Sequence, residues 1–190
     1  MKALNCRRDA CTTIAFITFV GLAFAAPALF AQDLPTMEDT EKEHEWLKKF
    51  VGQWDVVSDG QGSQGEAVMK SSMLGKLWLV NASDMEINGM KMKSIQMIGY
   101  DPKKEKYVGI WADSMINHMW HYEGTVDEAG KKLTLEAEGP SMTGDGTMTN
   151  YRDAYEFKDE NTIIATSSMQ GEDGEWTVLM EGTAKRRKEE

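Results

Sequence analysis

Hydrophobic positions along this chain fall into three successive regimes. Thr12 to Ala26 (TTIAFITFVGLAFAA) form one apolar run, Trp46, Leu47, Phe50 and Val51 recur at helical spacing, and from Trp54 onward apolar and polar residues alternate with period two. The middle regime predicts one N-terminal amphipathic helix from about Glu41 to Val51. Thr40-Glu41-Lys42-Glu43 matches a capping box, in which the Thr hydroxyl and the Glu carboxylate satisfy orphan amides of the first turn. Acids precede Lys48 and Lys49, as the helix dipole prefers, and Gly52 stops the helix.

The third regime predicts strands near 53–59, 65–72, 76–84, 92–100, 105–113, 119–126, 131–138, 149–157, 161–168 and 175–185. Between them stand Asp59-Gly60, Gly75, Asn88-Gly89, Asp101-Pro102, Ala129-Gly130, Gly144-Asp145-Gly146, Asn161 and Asp173-Gly174, residues that tolerate positive φ or preset a turn. Short turns make sequential strands antiparallel neighbours. Roughly ten strands and one helix then predict a mainly β fold, a single antiparallel meandering β-barrel, since closure removes exposed edges. An open sheet or sandwich is the alternative. Leu133, Leu135 and Ala137 alternate with Thr134, Glu136 and Glu138, and Trp176, Val178 and Met180 with Thr177, Leu179 and Glu181, which marks the buried faces. Val108, Ile110 and Ala112 beside Tyr107 and Trp111 make a strand apolar on both faces, consistent with a helix lying over the outside.

The first regime belongs to targeting rather than to the fold. Lys2, Arg7 and Arg8 precede an apolar core of signal-peptide length, and small residues follow at Ala23, Ala25, Ala28 and Ala31. The expected organisation is a signal peptide over 1–31 cleaved after Ala31, a flexible lead-in over 32–40 and a β-barrel domain over 41–190. Cleavage after Ala25 and an uncleaved anchor are the alternatives. The expected destination is the periplasm or the exterior. Both cysteines, Cys6 and Cys11, lie in the leader, so the mature chain has no disulfide, thiol nucleophile or cysteine metal ligand. The full chain carries a formal charge of −10, and removing Lys2, Arg7, Arg8 and Asp9 leaves −12. That balance argues against nucleic acid as a partner, which needs clustered Lys and Arg, and against anionic membrane surfaces after cleavage.

Some of these residues are familiar as a set. His44-Glu45-Trp46-Leu47 with Val51-Gly52-Gln53-Trp54, the block Gly99-Tyr100-Asp101 to Lys106-Tyr107-Val108-Gly109-Ile110-Trp111-Ala112-Asp113-Ser114, and Tyr122-Glu123-Gly124 with Leu133-Thr134-Leu135 resemble the bacterial domain of unknown function 1579 family over nearly the whole mature chain. The resemblance implies kinship and no particular reaction. A more distant likeness is to the calycins, the lipocalins and fatty-acid-binding proteins, where a Gly-x-Trp on the first strand packs against an Arg near the last. On that likeness Gly52, Trp54 and Arg186 are the barrel-closing residues. The chain departs from it in placing its helix before the first strand and in a short loop after Asp59, so the lipid ligands of those families are not carried over.

Candidate chemistry is sparse. His118 and His121 with Met115 and Met119 offer a soft N/S set for Cu(I), yet residues three apart on a strand point to opposite faces, and methionine is equally an adaptable core filler. No metal or other cofactor is therefore expected. Asp113, Ser114 and His118 supply the residue types of a triad without the strained turn that exposes a nucleophile. Only Arg152, Arg186 and Arg187 follow the leader. Arg152, between Tyr151 and Asp153, is the candidate for a bidentate clamp on a ligand carboxylate, with an outer-face salt bridge as its alternative. His44 is a candidate rim contact. Trp78, Tyr100, Trp111, Trp120, Tyr122 and Tyr155 are candidate cavity-lining rings. The leading expectation is thus an exported barrel, not an enzyme, binding a small and largely apolar ligand, one bearing a carboxylate near Arg152. The alternatives are a barrel hydrolase or isomerase using His118 or His121 with Asp113, and a filled barrel with a structural or interaction role.

Overall fold

The computed structural model describes residues 42–60, 63–142 and 146–188. The expected leader, the lead-in, the cysteines and the capping Thr40 lie outside them. Helix α1, Lys42–Leu47, tightens into a 3-10 turn over Lys48–Phe50. Ten strands follow: β1 Gly52–Gly60, β2 Ser63–Leu74, β3 Trp78–Ile87, β4 Met90–Asp101, β5 Lys106–Asp113, β6 Trp120–Val126, β7 Lys132–Pro140, β8 Met148–Asp159, β9 Thr162–Gln170 and β10 Trp176–Arg186. Each pairs antiparallel with the next, and β1 pairs with β10, so the meander closes into a barrel. Asn88 and Gly89 both have positive φ, 50° and 80°, the conformation a two-residue hairpin between β3 and β4 requires.

The period-two pattern translates directly into inside and outside. Leu133, Leu135 and Ala137 on β7 are buried as their alternation predicts. On β10 the pattern misleads. The register slips between Val178 and Met180, so Leu179 packs against the core while Val178 and Met180 stand exposed, because a bulge reverses which residues face inward.

The helix differs from its sequence reading in extent and place. Instead of running to Val51 over the outer wall, it lies across one end of the barrel. Leu47 and Phe50 are fully buried there, and Phe50 meets the rings of Tyr155 and Phe157 edge-on at 5.8 and 4.9 Å. The Trp46 indole donates to the Gly130 carbonyl at 2.8 Å and its ring sits among Phe50, Tyr107 and Phe157. Tightening the last turn aims Phe50 into the barrel and leaves Val51 39% exposed as the chain extends into β1.

The two ends of the meander are fastened at this same end. Trp54 is fully buried and donates its indole N–H to the Phe50 carbonyl at 2.8 Å. The Arg186 guanidinium lies 4.1 Å from the Trp54 ring and donates to three carbonyls, Glu160 at 3.0 Å, Lys49 at 2.7 Å and Val51. Gly52 takes φ of 135°, and a Cβ there would lie 2.7 Å from the guanidinium. We predict that Arg186→Ala lowers unfolding free energy by about 2–3 kcal/mol, the range of a cation–π contact with partly exposed charged hydrogen bonds. Arg186→Lys recovers little of it, and Gly52→Ala is destabilising in the Arg186 background; urea denaturation reads all three.

Candidate functional site

Strand register sorts the inward-facing side chains into layers along the barrel axis. Nearest the helix, Leu79, Ile98, Leu133, Trp54 and Ile163 are buried to 1% exposure or less, a dry packed half. Farther along the same strands the inward side chains become polar and then half-exposed. Ser71, Asn81, Gln96 and Trp111 stand in register across β2, β3, β4 and β5. On the opposite wall Leu135, Asp153 and Ser167 stand in register across β7, β8 and β9. Beyond this belt Val56, Ala67, Met69, Met85, Met92 and Met169 keep accessible surface although they face inward.

The belt carries two hydrogen-bonded arms. The Asn81 amide donates to Gln96 Oε1 at 3.0 Å, and the Gln96 amide donates across the interior to the Tyr155 hydroxyl at 2.9 Å. Tyr122 donates its hydroxyl to Asp153 Oδ2, and Ser167 also hydrogen-bonds that carboxyl. Asp153 and Tyr155 face inward and still retain accessible surface. Burial raises the Asp153 carboxyl above its ordinary value of 3.8, opposed in part by the bonds from Tyr122 and Ser167. Burial also raises the Tyr155 and Tyr122 hydroxyls, with the nearby Asp153 charge adding to it, so both phenols stay protonated donors.

Three polar atoms of the belt remain unanswered. Ser71 Oγ, Asn81 Oδ1 and Ser94 Oγ have no hydrogen-bond partner among the described residues, and their residues are only 5%, 3% and 5% exposed. An unsatisfied buried group costs about 1–3 kcal/mol. Three of them are a large fraction of the roughly 5–15 kcal/mol that stabilises a typical domain.

The sequence-selected residues divide between this interior and the outer surface. Tyr122 and Tyr155 belong to the belt, and Trp111 and Trp120 are paired inward at Trp111↔Trp120, the Trp111 indole donating to Asp113 Oδ2 at 3.3 Å. Tyr100 lies at the helix end between Tyr107 and the buried His44, whose ring it meets edge-on at 6.0 Å. Trp78 does not line the interior: it alternates out of phase with the buried Leu79, and its ring rests over Gly99, where a Cβ would lie 2.6 Å from it. Arg152 is likewise no interior clamp. It faces outward, bound to Glu136 Oε1 at 2.6 and 3.0 Å with its guanidinium 3.9 Å from the Trp176 ring, because it is one residue out of phase with the inward Tyr151 and Asp153.

The catalytic combinations are not assembled. Asp113 accepts from the backbone N–H groups of Met115 and Ile116 at 2.7 and 2.9 Å, holding the loop after β5. His118 packs edge-on against Trp120 at 4.9 Å, while His121 is exposed on the opposite face of β6. Among the described residues no cluster of three or more His, Cys, Asp or Glu is placed to hold a metal ion. Ser71, Asn81, Ser94, Gln96 and Asp153 were not singled out by the sequence reading. Their one local signal is phase: Asn81 shares a face with Leu79, Gln96 with Ile98, and Asp153 with Tyr151 and Tyr155.

A raised carboxyl value has a definite thermodynamic sign. The folded state holds the Asp153 proton more tightly than the unfolded chain does, so this group favours folding below 3.8 and that contribution is lost as pH rises through the folded value. The stability of the wild type relative to Asp153→Asn therefore falls between pH 4 and pH 8, measured by thermal melts of both proteins across that range.

Comparison with known proteins fixes the kinship. No curated protein matches the chain. Rv2717c from M. tuberculosis superposes with a TM-score of 0.58 at 13% identity, over 79% of this chain and 100% of its own, a likeness of fold. Also similar are the S-type phycobiliprotein lyase CPES from Guillardia theta, with a TM-score of 0.48 at 13% identity over 77% of this chain and 93% of its own, and the redesigned β barrel mFAP1 bound to DFHBI, with 0.41 at 11% identity over 77% and 100%. A family model described as "Protein of unknown function (DUF1579)" matches residues 39–186, from just before the helix to the arginine that fastens the barrel, and the chain belongs to that family.

Proposed function

We propose that this protein is an exported carrier or sensor that binds one small, largely apolar molecule inside the barrel, in the half away from the helix. The observation that carries the reading is a set of inward-facing side chains that keep accessible surface inside the closed barrel, Trp111, Asp153 and Tyr155 with Met69, Met85, Met92 and Met169. A ligand there covers apolar surface, and the Asp153 carboxyl and the Tyr155 hydroxyl offer hydrogen bonds that fix its orientation. The rings of Trp111, Trp120, Tyr122 and Tyr155 supply the apolar area.

The barrel end opposite the helix supports an entry route. Met90 stands exposed at the start of β4, Met115, Ile116 and Met119 on the loop after β5, and Met142 and Met148 beside the loop after β7, all at that end. Flexible thioethers adapt to varied apolar shapes without holding a fixed gate. Export rests on the basic start, apolar core and small residues that precede Gln32.

Native mass spectrometry of protein purified from its own source tests the reading. The expected result is a chain beginning at Gln32 with a stoichiometric organic adduct that denaturation releases. A clean unliganded mass from that source counts against the carrier role. A second test separates a cavity from a filled core. Ala165 is half-buried and faces inward between Tyr155 and Gly182. In a filled barrel Ala165→Phe costs about 1–3 kcal/mol by overpacking; here it is tolerated or stabilising in urea denaturation, and it abolishes the adduct.

A further inference from the structure

We infer that the interior site recognises an apolar molecule through a protonated amine and discriminates against carboxylates. This rests on the binding reading above and adds the charge class of the ligand. The carboxyls that the strand register turns inward are those of Asp153 on β8 and Asp113 at the end of β5. Asp153 is at the cavity wall and Asp113 nearer the mouth. Among the described residues no Lys or Arg faces it: Arg152 is held outside by Glu136 and Trp176, and Arg186 is held at the helix end by carbonyls and Trp54.

The hydrogen-bonding inventory points the same way. The Asp153 carboxyl accepts from Tyr122 and Ser167 and keeps lone-pair capacity for a further donor. An ammonium brings three donors and a compensating charge. A carboxylate brings acceptors alone and, once Asp153 is ionised, meets it as a like charge. A neutral alcohol falls between them.

Binding of an ammonium is coupled to proton release from Asp153. The groups facing that carboxyl are Tyr122 on β6, Leu135 on β7, Tyr155 on β8 itself and Ser167 on β9, with Asp113 and His118 toward the mouth. Both phenols remain protonated, so Asp153 is the group whose ionisation the amine rewards. An alkylammonium stays charged from pH 5 to pH 8, as lysine does. Amine affinity therefore rises with pH as Asp153 ionises, and carboxylate affinity falls.

The experiment is isothermal titration of the mature protein with n-octylamine, n-octanol and n-octanoate, three probes of one chain length and different head groups. At pH 7.5 octylamine is expected to bind about tenfold or more tighter than octanoate, the ratio that one charge-assisted hydrogen bond supplies. In Asp153→Asn the ratio of octylamine to octanoate affinity falls toward one. If that variant misfolds, the pH series on the wild type reads the same coupling. Octanoate binding as tightly as octylamine overturns the amine inference and leaves the binding reading standing. Absence of binding by all three probes overturns both.

Discussion

A ten-stranded meander has its first and last strands at opposite ends of the sheet, and everything enclosed depends on their meeting. The contact that secures this is Arg186 against Trp54. One guanidinium lies on the indole of the first strand, accepts its own position from the last strand, and donates to carbonyls of Lys49 and Val51 in the turn that enters the barrel. Its planar fork is suited to several carbonyls at once, which a single ammonium on a flexible stem is not. The same residues anchor the helix, since the Trp54 indole holds the Phe50 carbonyl and thereby sets Phe50 into the barrel end. Closure and plugging are one structural event.

That asymmetry organises the interior. The plugged half can be packed dry because the helix contributes Leu47 and Phe50 to the inward rings of the strands. The other half has no such element among the described residues, and a ten-strand circumference is wider than its own side chains fill easily. Polar residues are placed at the boundary between the two. Gln96 links to Tyr155 across the interior, and Asp153 is oriented by Tyr122, so the belt is a set of directed groups rather than chance hydration. The amide oxygen of Asn81 and the hydroxyls of Ser71 and Ser94, without partners among the described residues, lie on the wall formed by β2, β3 and β4.

Much of the fold was legible because a period-two pattern and its turns are local. All ten strands were placed within a few residues, and the Asn88-Gly89 hairpin has the backbone its sequence requires. The errors have local causes too. A bulge near Leu179 inverted the apparent buried face of β10, and alternation cannot announce an inserted residue. The helix was seen, but its place across the barrel end was not, since a hydrophobic stripe says that a face is covered and not by what.

The sequence by itself determined the strands, their antiparallel order and the kinship, all of which follow from spacing and from residues adjacent in the chain. Only the tertiary structure decided which polar residues share the interior. Asn81 and Gln96 are fifteen residues apart, Tyr122 and Asp153 thirty-one, Gln96 and Tyr155 fifty-nine. Arg152 and Asp153 are neighbours in sequence and lie on opposite sides of the wall, because the pleat sends successive side chains to opposite faces. Its charge made Arg152 conspicuous, yet position one residue out of phase put it in solvent and gave the interior to the aspartate beside it.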